Sequence, residues 1–176
     1  MKNRISQKAT ILVVDDEDML LNTKKKLLDP WFNKVYIANT PSAGLRIVET
    51  ENIDLMLVDH RMSEMRGTEL MKLVHKIVPD LPIIMVTAYP DDDVIKAFEE
   101  QDFDIVEKPY KPEILLRRIQ NLLVARYLIK ILRALAAEVP DQIDPEMFRN
   151  LGKKRQNKVL HYLATQLQSK RLKRRA

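Results

Sequence analysis

Four short apolar runs recur along the first two thirds of the chain, and each of them ends at polar residues. The runs are Thr10–Val14, Ile53–Val58, Leu81–Val86 and Phe103–Val106. Each run is followed by a stretch with helical character, and this alternation is typical of a parallel sheet that helices cover on both faces. The pattern therefore predicts an α/β fold.

The segments between these runs predict one further strand and four helices. The helices are expected over Met19–Leu28, Pro41–Thr50, Gly67–Ile77 and Asp91–Glu100, and the strand over Lys34–Ala38. Thr40 is a suitable N-cap for the second helix, because a proline occupies the first helical position after it.

The polar residues after the four runs are expected to share one edge of the sheet. They are Asp15, Asp16, Asp59, Thr87 and Lys108. In open α/β sheets, ligands bind outside the carboxyl ends of the strands. Crowded carboxylates repel one another unless a proton or a cation intervenes, and Mg²⁺ favours a few carboxylates together with water and a phosphate. The pattern thus predicts a site for a divalent metal and a phosphoryl group.

The motifs that contain these residues occur in a recognisable order. They are Ile-Leu-Val-Val-Asp-Asp-Glu (11–17), Leu-Val-Asp-His-Arg-Met (57–62), Gly67, Val-Thr-Ala-Tyr (86–89) and Glu-Lys-Pro-Tyr (107–110). Over residues 8–125 the chain resembles the receiver domain of two-component response regulators. The resemblance implies a flavodoxin-like, doubly wound sheet of five parallel strands in the order 2-1-3-4-5. It also implies a signalling switch and not an enzyme.

The resemblance assigns a role to each acidic residue. Asp59 is expected to accept a phosphoryl group from a sensor histidine kinase or a phosphotransfer protein. Mg²⁺ would be held by Asp16, by Asp15 mostly through water, by Asp59 and by the backbone carbonyl of Arg61.

The same resemblance assigns roles to Thr87 and Lys108. Thr87 would hydrogen-bond the phosphoryl group, and Lys108 would pair with Asp59 and then with the phosphoryl oxygens. The bond between Lys108 and Pro109 is usually cis in this family. These roles suit phosphoryl transfer, which depends mainly on positioning and on neutralisation of negative charge. Asp15-Asp16-Glu17 and Thr87 could each be read instead as helix caps.

Several positions depart from the family pattern. Ile105 stands where an aromatic switch residue is usual, so that position has no ring to rotate toward a phosphoryl-bound threonine. Ser63 replaces a proline, and Gln101-Asp102 replaces a Gly-Ala pair.

In the family that the chain resembles, two positions border the phosphoryl group, and both are occupied by bulky residues in this sequence. Arg61 and Tyr89 each lie two residues beyond a site residue, Asp59 and Thr87 respectively. Bulky side chains there restrict the attacking water, so we predict a long-lived phosphorylated form.

Composition excludes several classes of function. The chain of 176 residues has no cysteine, which excludes disulfides, thiol catalysis and cysteine-based metal sites. The N-terminal residues lack a signal-peptide core, and no apolar run approaches the ~18 residues of a transmembrane helix. The expected location is the cytoplasm.

Charge is divided unevenly along the chain. Residues 1–120 have 17 basic and 21 acidic residues, a net charge of −4, whereas residues 121–176 have 13 and 4, a net charge of +9. Such asymmetry points to an acidic partner for the C-terminal part.

The last helix is expected to start near Pro112 and to continue to about Glu138. From Ile114 it would extend about 37 Å, which is more than the core of the domain can cover. Its distal half is apolar on more than one face, so it must pack against the C-terminal segment or another subunit. A heptad frame that Arg117 interrupts favours a homodimer, with Ile114, Asn121, Leu128 and Leu135 at a and Val124 and Ile131 at d.

The C-terminal part is expected to form a linker, 139–144, and a basic helical extension, 145–176. The extension could bind nucleic acid, bind a protein or remain a solvated tail. Two other functions stay open: an adaptor or degenerate receiver that is not phosphorylated, and a phosphohydrolase with an aspartyl-phosphate intermediate. The phosphohydrolase would need an Asp-x-Asp nucleophile motif at the first strand, which Asp15–Asp18 provides only loosely.

Overall fold

Five parallel strands form the single sheet of the computed structural model, which describes the backbone of residues 6–88, 90–100 and 103–138 and the side chains of residues 7–88, 90–97 and 103–130. The strands are β1 (Thr10–Val14), β2 (Lys34–Ala38), β3 (Leu55–Asp59), β4 (Ile83–Thr87) and β5 (Asp104–Glu107). Their order is β2-β1-β3-β4-β5. The flavodoxin-like α/β class and the sheet order are therefore confirmed.

Within the described residues, five α-helices and a short 3-10 helix at Ser6–Lys8 accompany the sheet. The α-helices are α1 (Asp18–Leu28), α2 (Pro41–Thr50), α3 (Gly67–Ile77), α4 (Asp92–Glu100) and α5 (Pro112–Glu138). Thr40 caps α2 as expected, because its hydroxyl oxygen accepts a hydrogen bond of 3.1 Å from the backbone nitrogen of Ala43.

Three strands, β3, β4 and β5, end one residue later than their apolar runs predict. Backbone pairing continues to Asp59, which is paired in register with Val86, and to Thr87, which is paired with Glu107. Pairing at the carboxyl end of a strand depends on the neighbouring strand and not on side-chain polarity, so the hydrophobic pattern alone stops short of these two site residues.

The core consists of two apolar layers, one on each face of the sheet. Val13 of β1 packs in the same layer as Leu21 of α1 and Leu115 of α5. The next residue, Val14, faces the opposite layer together with Leu70 of α3. This alternation follows from the two-residue period of a strand, and it leaves the strand ends as the polar edge.

Two arginines, in addition to apolar contacts, attach helix α5 to β5 and to the segment that precedes β3. Arg118 donates two hydrogen bonds to the Asp104 carboxylate, at 2.9 and 3.0 Å. Arg126 donates to the backbone carbonyls of Ile53 and Asp54, at 2.9 and 2.5 Å. Burial lowers the pKa of the Arg126 guanidinium, although the charge of Asp54 opposes the shift.

Some sequence expectations concern residues outside those that the structure describes. These are Tyr89, the pair at 101–102, the linker at 139–144 and the basic extension at 145–176, together with the side chains of Ile131 and Leu135. Among the helices described, none combines the length and hydrophobicity needed to cross a membrane.

Candidate functional site

The candidate site lies at the carboxyl edge of the sheet, around the point where the strand order reverses between β1 and β3. Five side chains predicted from the sequence lie in or just after strands at this edge, namely Asp15, Asp16, Asp59, Thr87 and Lys108. This edge is where open α/β sheets bind their ligands.

Asp59 and Lys108 form a close ion pair. The Lys108 ammonium lies 2.5 Å from Oδ1 of Asp59, and Oδ2 of Asp59 accepts a hydrogen bond of 2.8 Å from the backbone nitrogen of Arg61. Burial of Lys108 works to lower its pKa, but Asp59 and Asp15 outweigh burial, and the pKa is raised above its ordinary value. Lys108 is therefore a protonated partner for negative charge at Asp59.

The position of Lys108 is fixed by its backbone. Its nitrogen donates a hydrogen bond of 2.7 Å to the carbonyl of Thr87 at the end of β4. The peptide bond from Lys108 to Pro109 is cis, as the resemblance implied. Thr87 itself is buried.

Asp15 is almost completely buried and has two hydrogen-bond partners. Its Oδ1 accepts a hydrogen bond of 3.0 Å from the backbone nitrogen of Glu17. Its Oδ2 is in contact with the ammonium of Lys24, and Lys108 lies 3.9 Å from the same oxygen. Lys24 was not predicted to be a site residue.

Asp16 is bound to the loop that follows β3. Its Oδ2 accepts a hydrogen bond of 2.9 Å from the backbone nitrogen of Ser63. A proline has no backbone N–H, so the usual proline at this position could not make this contact. The departure at Ser63 thus changes the surroundings of Asp16.

The donor types at this edge fit a Mg²⁺ ion, because carboxylates and a backbone carbonyl are its preferred protein ligands. Across the described ranges, however, no three acidic or imidazole side chains are gathered in an arrangement that could hold a metal. Oxygens of Asp15 and Asp59 are instead bonded to lysine ammonium groups. Lysine ammonium groups thus neutralise two of the three carboxylates.

Gly67 allows the loop after β3 to return close to Asp59. A Cβ atom at Gly67 would lie 2.4 Å from the carbonyl oxygen of Asp59, closer than van der Waals contact permits. The backbone nitrogen of Gly67 donates a hydrogen bond of 2.8 Å to the carbonyl of His60. Helix α3 can begin here only because the residue has no side chain.

His60 connects the end of β3 to the start of α4. The ring of His60 is fully buried, and its Nε2 lies 3.2 Å from Oδ2 of Asp91. Asp91 also caps α4, because its Oδ1 accepts a hydrogen bond of 3.2 Å from the backbone nitrogen of Val94. Partial burial works to raise the pKa of Asp91, but Val94, His60 and Arg66 together lower it below its ordinary value.

The alternative readings as helix caps receive little support from these contacts. Glu17 occupies the N-cap position of α1 but makes no side-chain capping hydrogen bond. Asp91, and not Thr87, caps α4. His60 and Asp91 were not predicted as site residues, although a capping acid near Asp91 could have been recognised from the helix start.

Comparisons with known families agree with the geometry. The family described as the response regulator receiver domain matches residues 11–120. Transcriptional regulatory protein GlrR of Escherichia coli (strain K12) is 32% identical over 116 residues, which are 65% of this chain and 26% of that protein. Regulatory protein VanRB of Enterococcus faecalis is 32% identical over 114 residues, 64% of this chain and 51% of that protein. The chain therefore spans between about a quarter and about a half of the length of these two relatives.

A solved structure shows the same fold. The response regulator receiver domain protein (CheY-like) from Methanospirillum hungatei is 32% identical and superposes with a TM-score of 0.64. The similarity covers 68% of this chain and 97% of that one.

Proposed function

Because the chain belongs to the response regulator receiver family, we propose that it accepts a phosphoryl group on Asp59 and uses this reaction to switch a signalling output. The contact of 2.5 Å between Asp59 and Lys108 carries the proposal. It places a cation beside the carboxylate that would be modified, at the ligand-binding edge of the sheet. Members of this family are generally signalling proteins and bind Mg²⁺ for phosphorylation.

The reaction is a phosphoryl transfer between a phosphohistidine and Asp59. An Asp59 carboxylate oxygen bonds to phosphorus while the phosphorus–nitrogen bond breaks, and the bonding electron pair stays on the histidine nitrogen, which takes up a proton. The product is an aspartyl phosphate. A Mg²⁺ ion, when bound by Asp15, Asp16, Asp59 and the carbonyl of Arg61, supplies further neutralisation of negative charge.

Lys108 opposes the repulsion between the carboxylate and the incoming group. Its ammonium is already beside Asp59, so little reorganisation is needed when negative charge arrives. After transfer, Lys108 and the hydroxyl of Thr87 bond the phosphoryl oxygens. Such contacts exist only in the phosphorylated form and therefore shift a two-state equilibrium.

We propose that the phosphorylated form is long-lived. Arg61 is anchored through its backbone to Asp59, and its guanidinium lies 3.9 Å from Asp91, beyond the phosphoacceptor loop. A large side chain at this position limits the approach of water to the aspartyl phosphate. A decay time course on the isolated phosphoprotein should give a half-life of minutes or longer, and a half-life of seconds would contradict this part of the proposal.

For the output we propose dimerisation through α5 and binding of an acidic partner by the basic extension. On α5, Leu115, Ile119 and Leu123 are buried in the core, whereas the heptad positions Ile114 and Asn121 are exposed. Ile114 and Asn121 are therefore not buried in the core, which supports a role for them at an interface. We propose a receiver domain at 8–125 whose last helix continues to about 138, a linker at 139–144 and an extension at 145–176.

Nucleic acid is the partner that we propose for the extension. Its surplus of positive charge suits a polyanion, and two relatives, GlrR and VanRB, are described as regulatory proteins, GlrR as a transcriptional one. A protein-binding adaptor is the second candidate. Binding to DNA or RNA that weakens steeply with added salt would support the first candidate, and absence of such binding even at low salt would support the second.

The experiment that tests the proposed chemistry is intact-mass measurement after incubation with acetyl phosphate and Mg²⁺. The wild-type protein should gain one phosphoryl group, Asp59→Asn should gain none, and the exposed control Asp29→Asn should behave as wild type. Light scattering on the same samples should show a larger molar mass after phosphorylation. A phosphoryl group on Asp59→Asn, or none on the wild type with any small phosphodonor or kinase tried, would contradict the proposal.

A further inference from the structure

We propose that Lys24 is a built-in competitor of the divalent metal, so that its contact with Asp15 sets the metal affinity of the site. This inference rests on the proposed function, in which Asp15, Asp16 and Asp59, here called the acidic cluster, bind Mg²⁺. It adds a residue of α1 to the determinants of that binding.

Lys24 occupies a position on the apolar side of α1. Leu21 lies three residues before Lys24 and Leu28 lies four residues after it, and all three side chains are buried. Residues at this spacing share one face of a helix, and that face packs on the sheet. A lysine there is costly to bury unless its ammonium is paired.

The partner of the buried ammonium is the most buried carboxylate of the site. Lys24 has a side-chain exposure of 5% and Asp15 of 1%, and the Lys24 ammonium contacts Oδ2 of Asp15. The other oxygen of Asp15 accepts the hydrogen bond from Glu17. Both oxygens of Asp15 are therefore already bonded within the protein.

The same contact alters the charge of the whole cluster. Its three carboxylates carry three negative charges, and two ammonium groups, from Lys24 and Lys108, contact two of them. The net charge is −1, whereas it would be −2 if Lys24 were apolar. A divalent cation is therefore attracted less strongly, and it must also displace or lie beside a buried ammonium to reach Asp15.

The side chain of a lysine can move away from Asp15 when a metal ion binds. Its ammonium is a compact charge on a flexible stem of four carbons, so it can leave Asp15 without movement of the helix backbone. The exchange of one cation for another keeps Asp15 neutralised in both states. A Lys24 that served stability alone would leave metal affinity unchanged when it is replaced.

The adjacent Lys25 provides a matched control. It lies on the exposed side of the same helix and pairs with Asp29 at 2.8 Å. Lys25→Met removes the same charge from the same helix, and Lys24→Met removes it from the acidic cluster. The comparison separates a local contact from the general effect of net charge.

The test is a titration of the full chain with Mn²⁺, followed by the electron paramagnetic resonance signal of the free ion. Mn²⁺ is the probe because it accepts the same oxygen ligands as Mg²⁺. Lys24→Met should bind Mn²⁺ at least about tenfold more tightly than wild type, because a unit charge at contact distance is removed. Lys25→Met should stay within about twofold of wild type, as expected for a screened surface charge.

Lys24→Gln guards against a folding defect in Lys24→Met. Its neutral amide can still donate a hydrogen bond to Asp15, and it should also bind Mn²⁺ more tightly than wild type. The inference is overturned if both Lys24 variants bind Mn²⁺ with an affinity within twofold of that of Lys25→Met. If such variants nevertheless accept a phosphoryl group from acetyl phosphate, the proposed function stands without it. Absence of both Mn²⁺ binding and phosphorylation in every variant overturns the inference and the proposed function together.

Discussion

The Lys108 ammonium and Oδ1 of Asp59 lie 2.5 Å apart and join the residue after β5 to the last residue of β3. Each residue belongs to a different strand end, and β4 lies between those strands in the sheet. The ion pair therefore spans the candidate site, and any group added to Asp59 must engage or displace this ammonium. The proposed modification of Asp59 would therefore change the partner of the Lys108 ammonium.

Replacement of Lys108 should slow phosphorylation without preventing folding. Lys108→Met removes the positioned cation, and we expect the rate of phosphorylation by acetyl phosphate to fall by about 100-fold, as for other preorganised electrostatic groups. Intact-mass time courses at saturating Mg²⁺ measure this rate. The exposed Lys111→Met should react at the wild-type rate, and a Lys108 variant as fast as wild type would contradict the assigned role.

Substitution of Gly67 should be far more disruptive than substitution of Gly44. The new Cβ of Gly67→Ala meets the backbone oxygen of Asp59, which cannot move away without distorting the loop. The Cβ of Gly44→Ala meets a methyl group of Val14 at 2.9 Å, and this side chain can adjust. We expect Gly67→Ala to lower the free energy of unfolding by about 3 kcal/mol and Gly44→Ala by about 1 kcal/mol, measured by urea denaturation. Equal losses would contradict this account.

Arg126 should hold the middle of α5 to the segment that precedes β3. Arg126→Ala leaves the carbonyls of Ile53 and Asp54 without their guanidinium partner, and we expect a loss of about 1–3 kcal/mol in the free energy of unfolding. Hydrogen exchange in α5 should accelerate after this change. The exposed Arg117→Ala should alter neither quantity, and protection unchanged in Arg126→Ala would show that apolar contacts alone hold the helix.

The carboxylate of Asp91 should stabilise the fold only when it is ionised. The pKa of Asp91 is lowered in the folded protein, where Val94, His60, Arg66 and Arg61 face its carboxylate. Its contribution to the free energy of unfolding is therefore fully present above the ordinary carboxyl pKa. This contribution is lost as the pH falls through the pKa of the folded state. Asp91→Asn keeps a capping side chain without the charge. The stability difference between wild type and Asp91→Asn should therefore be largest near neutral pH and should shrink below about pH 4. A difference in urea midpoint that is independent of pH would contradict this origin.

The sequence predicts the start of a helix or strand correctly where a residue with special backbone properties stands there. Helix α2 begins at Pro41 and α3 at Gly67, as the sequence indicated, because a proline and a glycine mark these starts. Strand β3 instead begins at Leu55, two residues after its apolar run starts. Just before this strand, the backbone nitrogen of Asp54 donates a hydrogen bond to the carbonyl of Thr10. The carbonyls of Ile53 and Asp54 accept hydrogen bonds from the Arg126 guanidinium. That arrangement depends on a residue 72 positions away and cannot be read from the local sequence.

The site was predictable where motifs carry it and not where tertiary contacts create it. Asp59 and Lys108 could be identified from strand ends, because topology alone brings those ends together. Lys24 could not, because a lysine in a helix is normally exposed, and its burial depends on Asp15 from a different element. The one sequence signal was its spacing between Leu21 and Leu28 on the apolar face.

The most direct test of the central claim is chemical mapping of the phosphorylated residue. Borohydride reduces an aspartyl phosphate to homoserine, so the phosphorylated protein can be reduced, digested and sequenced by tandem mass spectrometry. We predict homoserine at position 59 and at no other aspartate, with none after omission of the phosphodonor. Homoserine at Asp15 or Asp16, or its absence from position 59 in a protein that has gained a phosphoryl group, would contradict the assignment of Asp59 as the phosphoacceptor.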